Sequence, residues 1–192
     1  ECLMVQDYWP SPISMKSGNV ILGSIAFFTL AFVFLTFSTT DSVSEQPHPL
    51  ANECVGGHSG LAEHYHPMVV ISVLGNDVEV PGDIGINQPG CAMRPLHTHD
   101  TSGKIHVEFK ESGVEAPLKA FFDTWGKHMD ENGFDEYRVD ENHEFLMFLN
   151  NYSYDQNGNL IVDPETRQQV YNFENLILED RQYIELVFRE KA

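Results

Sequence analysis

Residues 94–109 have the sequence RPLHTHDTSGKIHVEF, in which a turn separates two segments of alternating residue type. The four residues 100–103, Asp-Thr-Ser-Gly, are of the types that favour turns. On both sides of this turn, side chains of different polarity alternate, as in strands with one buried face. We therefore predict a β-hairpin around 100–103 in which His97 lies opposite His106.

This register gives the hairpin two different faces, because directly opposed residues share a face and side chains alternate along each strand. It also places His99 opposite Lys104. One face is predicted to belong to the core and comprises Leu96, Thr98, Ile105 and Val107. The other face carries His97, His99, His106 and Glu108. A shift of the pairing by one residue would separate these polar side chains, so the prediction depends on the register.

Three imidazoles and a carboxylate on one face are typical of a transition-metal site. Two further histidines, His64 and His66, are two residues apart, so in an extended chain they point the same way. The predicted metal ligands are therefore His97, His99, His106, Glu108, His64 and His66. Neutral imidazole binds copper and zinc, and we expect a transition metal ion of this kind, copper or zinc, as the cofactor. The alternative is that these histidines bond to backbone and turn groups and bind no metal.

The chain is strongly acidic, with 11 basic and 29 acidic residues and a net charge of −18. A surface of this sign repels nucleic acid and anionic lipid headgroups, so we expect no nucleic acid among the partners. The length of 192 residues allows one domain of ordinary size and a short additional segment.

Residues 20–37 are apolar, with no charge and no proline over 18 residues. As a helix they would extend about 27 Å, close to the thickness of the hydrocarbon core of a bilayer. They are predicted to be a single transmembrane helix, with a cleaved signal peptide as the alternative. Lys16 precedes the apolar segment and Asp41 follows it, so the positive-inside tendency places the C-terminal domain outside the cytoplasm.

These features predict four parts of the chain. They are an N-terminal segment at 1–19, a transmembrane helix at 20–37, a linker at 38–53 and an extracytoplasmic α+β domain at 54–192. The membrane would then be one partner, through the single helix.

Two of the three cysteines, Cys54 and Cys91, lie in the same predicted domain, and Cys2 lies far from them. In an oxidising compartment Cys54 and Cys91 are expected to form a disulfide that stabilises the domain by about 3–4 kcal/mol. The alternative is a pair of buried free thiols.

The remaining pattern predicts one soluble helix among several strands. The helix covers 117–125, because its apolar residues recur at helical spacing and Gly126 is suited to end it. The strands are predicted at 68–74, 78–80, 145–149, 160–162, 175–178 and 183–188, with a loop at 130–142. One helix is available to cover one mixed sheet, so we expect an α+β fold.

This order of elements resembles the β-grasp, or ubiquitin-like, fold over residues 66–190. The turn and strand at 178–188 are similar to the last turn and strand of such domains, and the His-bearing hairpin would be an addition to them. The segment His-Thr-His-Asp…Ile-His-Val-Glu also resembles uncharacterised exported microbial domains, a resemblance that implies no function.

The sequence therefore predicts a membrane-anchored, extracytoplasmic metal-binding module that uses the His hairpin to bind or deliver copper or zinc. A different class of function stays open, in which the chain is an accessory subunit of a larger membrane protein complex with no chemistry of its own. A small metal-dependent enzyme is a third interpretation, and it offers no evident general acid or base beyond Glu108.

Overall fold

The computed structural model of the chain describes residues 46–192. The strands of this part are β1 (Glu63–Tyr65), β2 (Met68–Val73), β3 (Asn76–Val78), β4 (Ile86–Gln88), β5 (Cys91–Met93), β6 (Leu96–His97), β7 (His106–Phe109), β8 (Met129–Asp130), β9 (Gly133–Phe134), β10 (Tyr137–Arg138), β11 (His143–Tyr154), β12 (Leu160–Val170) and β13 (Gln182–Glu190). The helices are α1 (Leu118–Trp125) and two short 3-10 helices, Pro49–Asn52 and Phe173–Asn175.

The main sheet has five strands in the order β12-β11-β13-β2-β3. The pair β13–β2 is parallel, and the other neighbours are antiparallel. Alternate residues of the central strands are buried, as expected for a sheet with one face on the core. These core residues include Ile71 on β2, Met147 on β11 and Leu186 on β13.

Helix α1 forms where the sequence predicts a helix, and Gly126 ends it in the left-handed conformation. The backbone N–H of Gly126 donates to the carbonyl groups of Phe122 and Asp123, which is the usual role of glycine after a helix. Phe121 and Phe122 are almost completely buried and belong to the same apolar core as the main sheet. The predicted apolar face of the helix is therefore confirmed.

A second, three-stranded sheet has the order β1-β7-β6 and carries His64, His97 and His106. Two further sheets are small, the hairpin β4–β5 and the meander β8-β9-β10. The meander covers residues 129–138, most of which fall in the acidic segment 130–142 that the sequence pattern assigned to a loop.

The prediction of an α+β, β-grasp-like fold is wrong. Strand accounts for 44% of the described residues and is divided among several sheets, with one eight-residue α-helix, instead of one mixed sheet covered by a helix. The predicted strand at 175–178 is replaced by the 3-10 helix Phe173–Asn175 and an isolated bridge. The physical reason is that strand partners are chosen by long-range packing, which the local alternation of residue types does not reveal.

Most of the predictions for the N-terminal part of the chain concern residues before 46. The segment 1–19, the transmembrane helix 20–37 and the first part of the linker, up to residue 45, lie outside the described residues. Within 46–192, no helix is long and apolar enough to cross a membrane. The end of the predicted linker packs on the domain, since Leu50 and Ala51 are buried.

The predicted disulfide between Cys54 and Cys91 is confirmed, with 5.6 Å between the two Cα atoms. Cys2 lies outside the described residues. The backbone N–H of Val55 donates to the carbonyl of Met93, so the segment after Cys54 is held along β5. The disulfide and this hydrogen bond therefore hold the segment after Cys54 close to the start of β6.

Gly103 fixes the loop between β6 and β7 against β2, because its carbonyl accepts the N–H of Val69. Its φ is +79°, and an added Cβ would overlap the carbonyl oxygen of Val69. We expect Gly103→Ala to lower the free energy of unfolding by at least about 2 kcal/mol in urea denaturation, from the strained φ and the overlap together. Gly113 is a matched control, because it has φ +81° and open space around its Cβ position. Equal losses for the two variants would contradict the close approach.

Candidate metal centre

The sheet β1-β7-β6 brings four polar side chains to one face. His97 on β6 lies opposite His106 on β7, and His64 on β1 lies opposite Glu108 on β7. Directly opposed residues share a face, and so do residues two apart on one strand. The predicted register of His97 and His106 is therefore confirmed, and β1 adds His64 to the same face.

Three more histidines join this face from the loops next to the strands. His66 follows β1, His99 follows β6, and His58 lies in the segment after Cys54. The ring centroid of His106 is 4.5 Å from those of both His66 and His99, and His58 lies 5.6 Å from His99. We refer to His58, His64, His66, His97, His99, His106 and Glu108 together as the histidine cluster.

All six side chains predicted as ligands therefore lie in this cluster. One detail of the hairpin differs from the prediction, because Lys104 pairs with Met68 and not with His99. The ladder between β6 and β7 ends at His97 and His106, so His99 reaches the cluster from the loop instead of from a strand.

Glu108 is the centre of the cluster and is fully buried. Its Oε1 lies 2.9 Å from His58 Nδ1, 3.1 Å from His64 Nε2, 3.9 Å from His106 Nδ1 and 4.0 Å from His97 Nε2. Its ion-pair partners among the described residues are thus all histidines. A buried carboxylate requires positive charge or several hydrogen bonds close by, so the protonation of these imidazoles matters.

His97 has a defined orientation and tautomer. Its Nδ1 lies 3.0 Å from the carbonyl oxygen of Arg94. A carbonyl only accepts hydrogen bonds, so Nδ1 carries the proton and the neutral ring has its lone pair on Nε2. This Nε2 lies 3.3 Å from Nε2 of His99, inside the cluster. A backbone carbonyl that fixes the ring in this way is the usual support of a metal-binding histidine.

Burial keeps two rings of the cluster neutral at pH 7. Desolvation lowers the pKa of His97 to about 4, although the hydrogen bond to Arg94 opposes this shift. Desolvation, together with the nearby His66, His97, His99 and His64, lowers the pKa of His106 to about 3. Desolvation also lowers the pKa of His66, with a further effect of His64. Neutral rings offer the lone pairs that metal coordination requires.

Distances between nitrogens in the cluster match those between ligands of a metal ion. Two nitrogens bound to one tetrahedral ion, each at about 2.0–2.1 Å, are about 3.3 Å apart. His97 Nε2 and His99 Nε2 are 3.3 Å apart, and so are His64 Nε2 and His106 Nδ1. The ligand atoms of His64, His66 and His106 lie within 4.8 Å of one another, as do those of His97, His99 and His106.

His58 is the member of the cluster that the sequence analysis did not select. Its Nδ1 lies 2.9 and 3.0 Å from the two oxygens of Glu108, so Nδ1 donates its proton to the carboxylate. A signal for it was available, because His58 lies four residues after Cys54 and His97 six residues after Cys91. The predicted disulfide brings Cys54 and Cys91 together, so it already implied that the segments carrying His58 and His97 start close to each other.

Comparison with protein-family models, with curated proteins and with solved structures finds no match for this chain. The function proposed below therefore depends on the geometry and chemistry of the histidine cluster.

The low pKa values predict how the stability of the metal-free protein depends on pH. In the unfolded chain His97 and His106 have the ordinary histidine pKa of 6.5. In the folded protein the pKa of His97 is about 4 and that of His106 is about 3. Below pH 6.5 the unfolded state therefore binds more protons, so stability present above this pH is lost as the pH falls.

Between pH 7.5 and 5.5 we expect a loss of about 1–3 kcal/mol in the free energy of unfolding, measured by urea denaturation in the presence of a chelator. The variant His97→Gln should show a smaller loss over the same range. A free energy of unfolding that is constant between these pH values would contradict the neutral, buried state of the two rings.

Proposed function

We propose that this protein binds a transition metal ion, copper or zinc, through the histidine cluster, as a binding or delivery module. The observation that carries the proposal is the buried carboxylate of Glu108, which within residues 46–192 has imidazole nitrogens, and no Lys or Arg nitrogen, within 4.0 Å. Two of those imidazoles, His97 and His106, are neutral at pH 7 because burial lowers their pKa. A cation bound among these groups would supply the positive charge that the carboxylate requires.

The donor set favours a transition metal such as copper or zinc over magnesium and calcium. Imidazole nitrogen suits copper, zinc, nickel and iron, whereas magnesium and calcium prefer oxygen ligands. The disulfide between Cys54 and Cys91 supports a location in an oxidising compartment, where disulfides persist.

Delivery requires that the ion can be reached and exchanged. The side chains of His58 and His64 are 56% and 41% exposed, whereas His97 and Glu108 are fully buried. The cluster therefore has an open side formed by His58 and His64, and a fixed inner side. This arrangement suits a site that holds an ion firmly but passes it to a chelator or a partner.

The test is a zinc titration of the full chain at pH 7.5 by isothermal calorimetry, with competition against a chelator of known affinity. We expect binding by the wild-type protein and a loss of at least about 10-fold in affinity for His97→Ala, because loss of a ligand costs at least as much as loss of the group that orients it.

His128→Ala is the matched control, because His128 is a histidine outside the cluster that bonds to Asp130. Its affinity should equal that of the wild type. Wild-type protein that binds neither zinc nor copper, or equal losses for His97→Ala and His128→Ala, would refute the proposal.

A further inference from the structure

The histidine cluster contains more donors than one ion can use. It offers six imidazoles and a carboxylate, which is seven side chains. Zinc in proteins almost always takes four ligands, and copper sites of nitrogen donors are of similar size. Some of these donors are therefore surplus to a single ion.

The donors fall into two sets that share one member. Three ligand atoms within 4.8 Å of one another come from His64, His66 and His106, and a second such set comes from His97, His99 and His106. His106 is common to both, and its ring is in contact with those of His66 and His99 at equal centroid distances of 4.5 Å. A neutral imidazole ring has one lone pair, so His106 can bind two ions only as imidazolate, with its N–H proton passing to solvent when the second ion binds.

The first set has the dimensions of a metal site when Glu108 is included. The distances are 3.3 Å from His64 Nε2 to His106 Nδ1, 3.1 Å from His64 Nε2 to Glu108 Oε1 and 3.9 Å from His106 Nδ1 to Glu108 Oε1. The circle through these three atoms has a radius of about 2.0 Å, which equals the usual bond length from zinc to nitrogen or oxygen, about 2.0–2.1 Å. An ion at its centre would lie about 2.0 Å from all three atoms.

The second set lies on the other side of Glu108. His97 Nε2 and His99 Nε2 are separated by 3.3 Å, the spacing of two ligands on one ion. His97 Nε2 lies 4.0 Å from Glu108 Oε1, so the same carboxylate is close to both sets. A carboxylate has two oxygens with about four lone-pair sites, so Glu108 can be a ligand of both ions.

We infer that the histidine cluster binds two transition metal ions side by side, one at His64 and His66 and the other at His97 and His99, joined by His106 and Glu108. This inference rests on the proposed function and adds to it the number of ions and the shared ligands. His58, which donates to both oxygens of Glu108, orients the carboxylate between the two ions.

The test is the number of zinc ions per chain, measured by native mass spectrometry and by elemental analysis of the full chain after removal of excess metal. The wild type should hold two ions. The double variants His64→Ala/His66→Ala and His97→Ala/His99→Ala should each hold one, and the control His128→Ala/His143→Ala should hold two.

One ion in the wild type, lost in both double variants of the cluster, would overturn the inference and leave the proposed function in place. Wild-type protein that holds neither zinc nor copper when each metal is supplied would overturn both. The two failures are therefore distinguishable in the same experiment.

Copper tests the shared ligands independently. Two copper(II) ions joined by His106 and Glu108 should couple magnetically, so the integrated electron paramagnetic resonance signal of the wild type should fall well below two spins per chain. Each double variant of the cluster should give an uncoupled signal of one spin. A full signal of two uncoupled spins in the wild type would show that the ions share no ligand, and would overturn the inference.

Discussion

Replacement of His106 by alanine is expected to weaken zinc binding by at least about 100-fold, more than any other single substitution in the histidine cluster. His106 belongs to both sets of donors and is held on β7 between β6 and β1. Its ring is only 18% exposed, and burial lowers its pKa to about 3, so its lone pair is available throughout the physiological pH range. The measurement is competition with a chelator at pH 7.5.

The matched control is again His128→Ala, which removes a histidine without changing the cluster. Circular dichroism of His106→Ala should be that of the wild type, because the apolar residue Val107 beside it still fills the core. An affinity loss below about 10-fold, with the fold intact, would show that His106 is not a ligand.

Replacement of Phe121 by alanine is expected to lower the free energy of unfolding by about 3–5 kcal/mol. Phe121 is completely buried, and its ring packs edge to face on Phe122, with centroids 5.6 Å apart, and at 6.2 Å from the ring of Trp125. The substitution would leave a cavity in the apolar core to which α1 and the main sheet both contribute. Urea denaturation monitored by circular dichroism measures the loss.

Tyr171→Ala is the control for this measurement, because Tyr171 is 74% exposed and its loss creates no cavity. The change in the free energy of unfolding for this variant should stay within about 0.5 kcal/mol. A loss below about 1 kcal/mol for Phe121→Ala would mean that α1 is peripheral to the core.

The parts that the sequence predicts correctly depend on local chemistry. The pairing of Leu96 with Val107 and of His97 with His106 follows from the turn residues between them and the alternation on each side. Helix α1 follows from the spacing of its apolar residues and from Gly126. The cluster could be predicted for the same reason, because four of its members lie on one short hairpin.

The incorrect part of the prediction concerns which strands become neighbours. The strand β1 pairs with β7, and Lys104 pairs with Met68, although neither partner is close in the sequence. The pairing of β1 with β7 places the His-bearing strands in a sheet of their own, so the expected single mixed sheet does not form. The bridge between Lys104 and Met68 holds the loop of the hairpin against β2 of the main sheet. Both pairings depend on contacts such as that of Gly103 with Val69, which only the complete packing of the domain determines.

The most direct test of the proposed metal centre is an anomalous difference map at the zinc absorption edge, from crystals of the full chain grown with zinc. The proposal predicts density inside the histidine cluster, at about 2.0–2.1 Å from Nε2 of His97 or His64. The proposal would be contradicted if anomalous density appeared only at residues outside the cluster, while the side chains of the cluster were ordered and made hydrogen bonds only to one another.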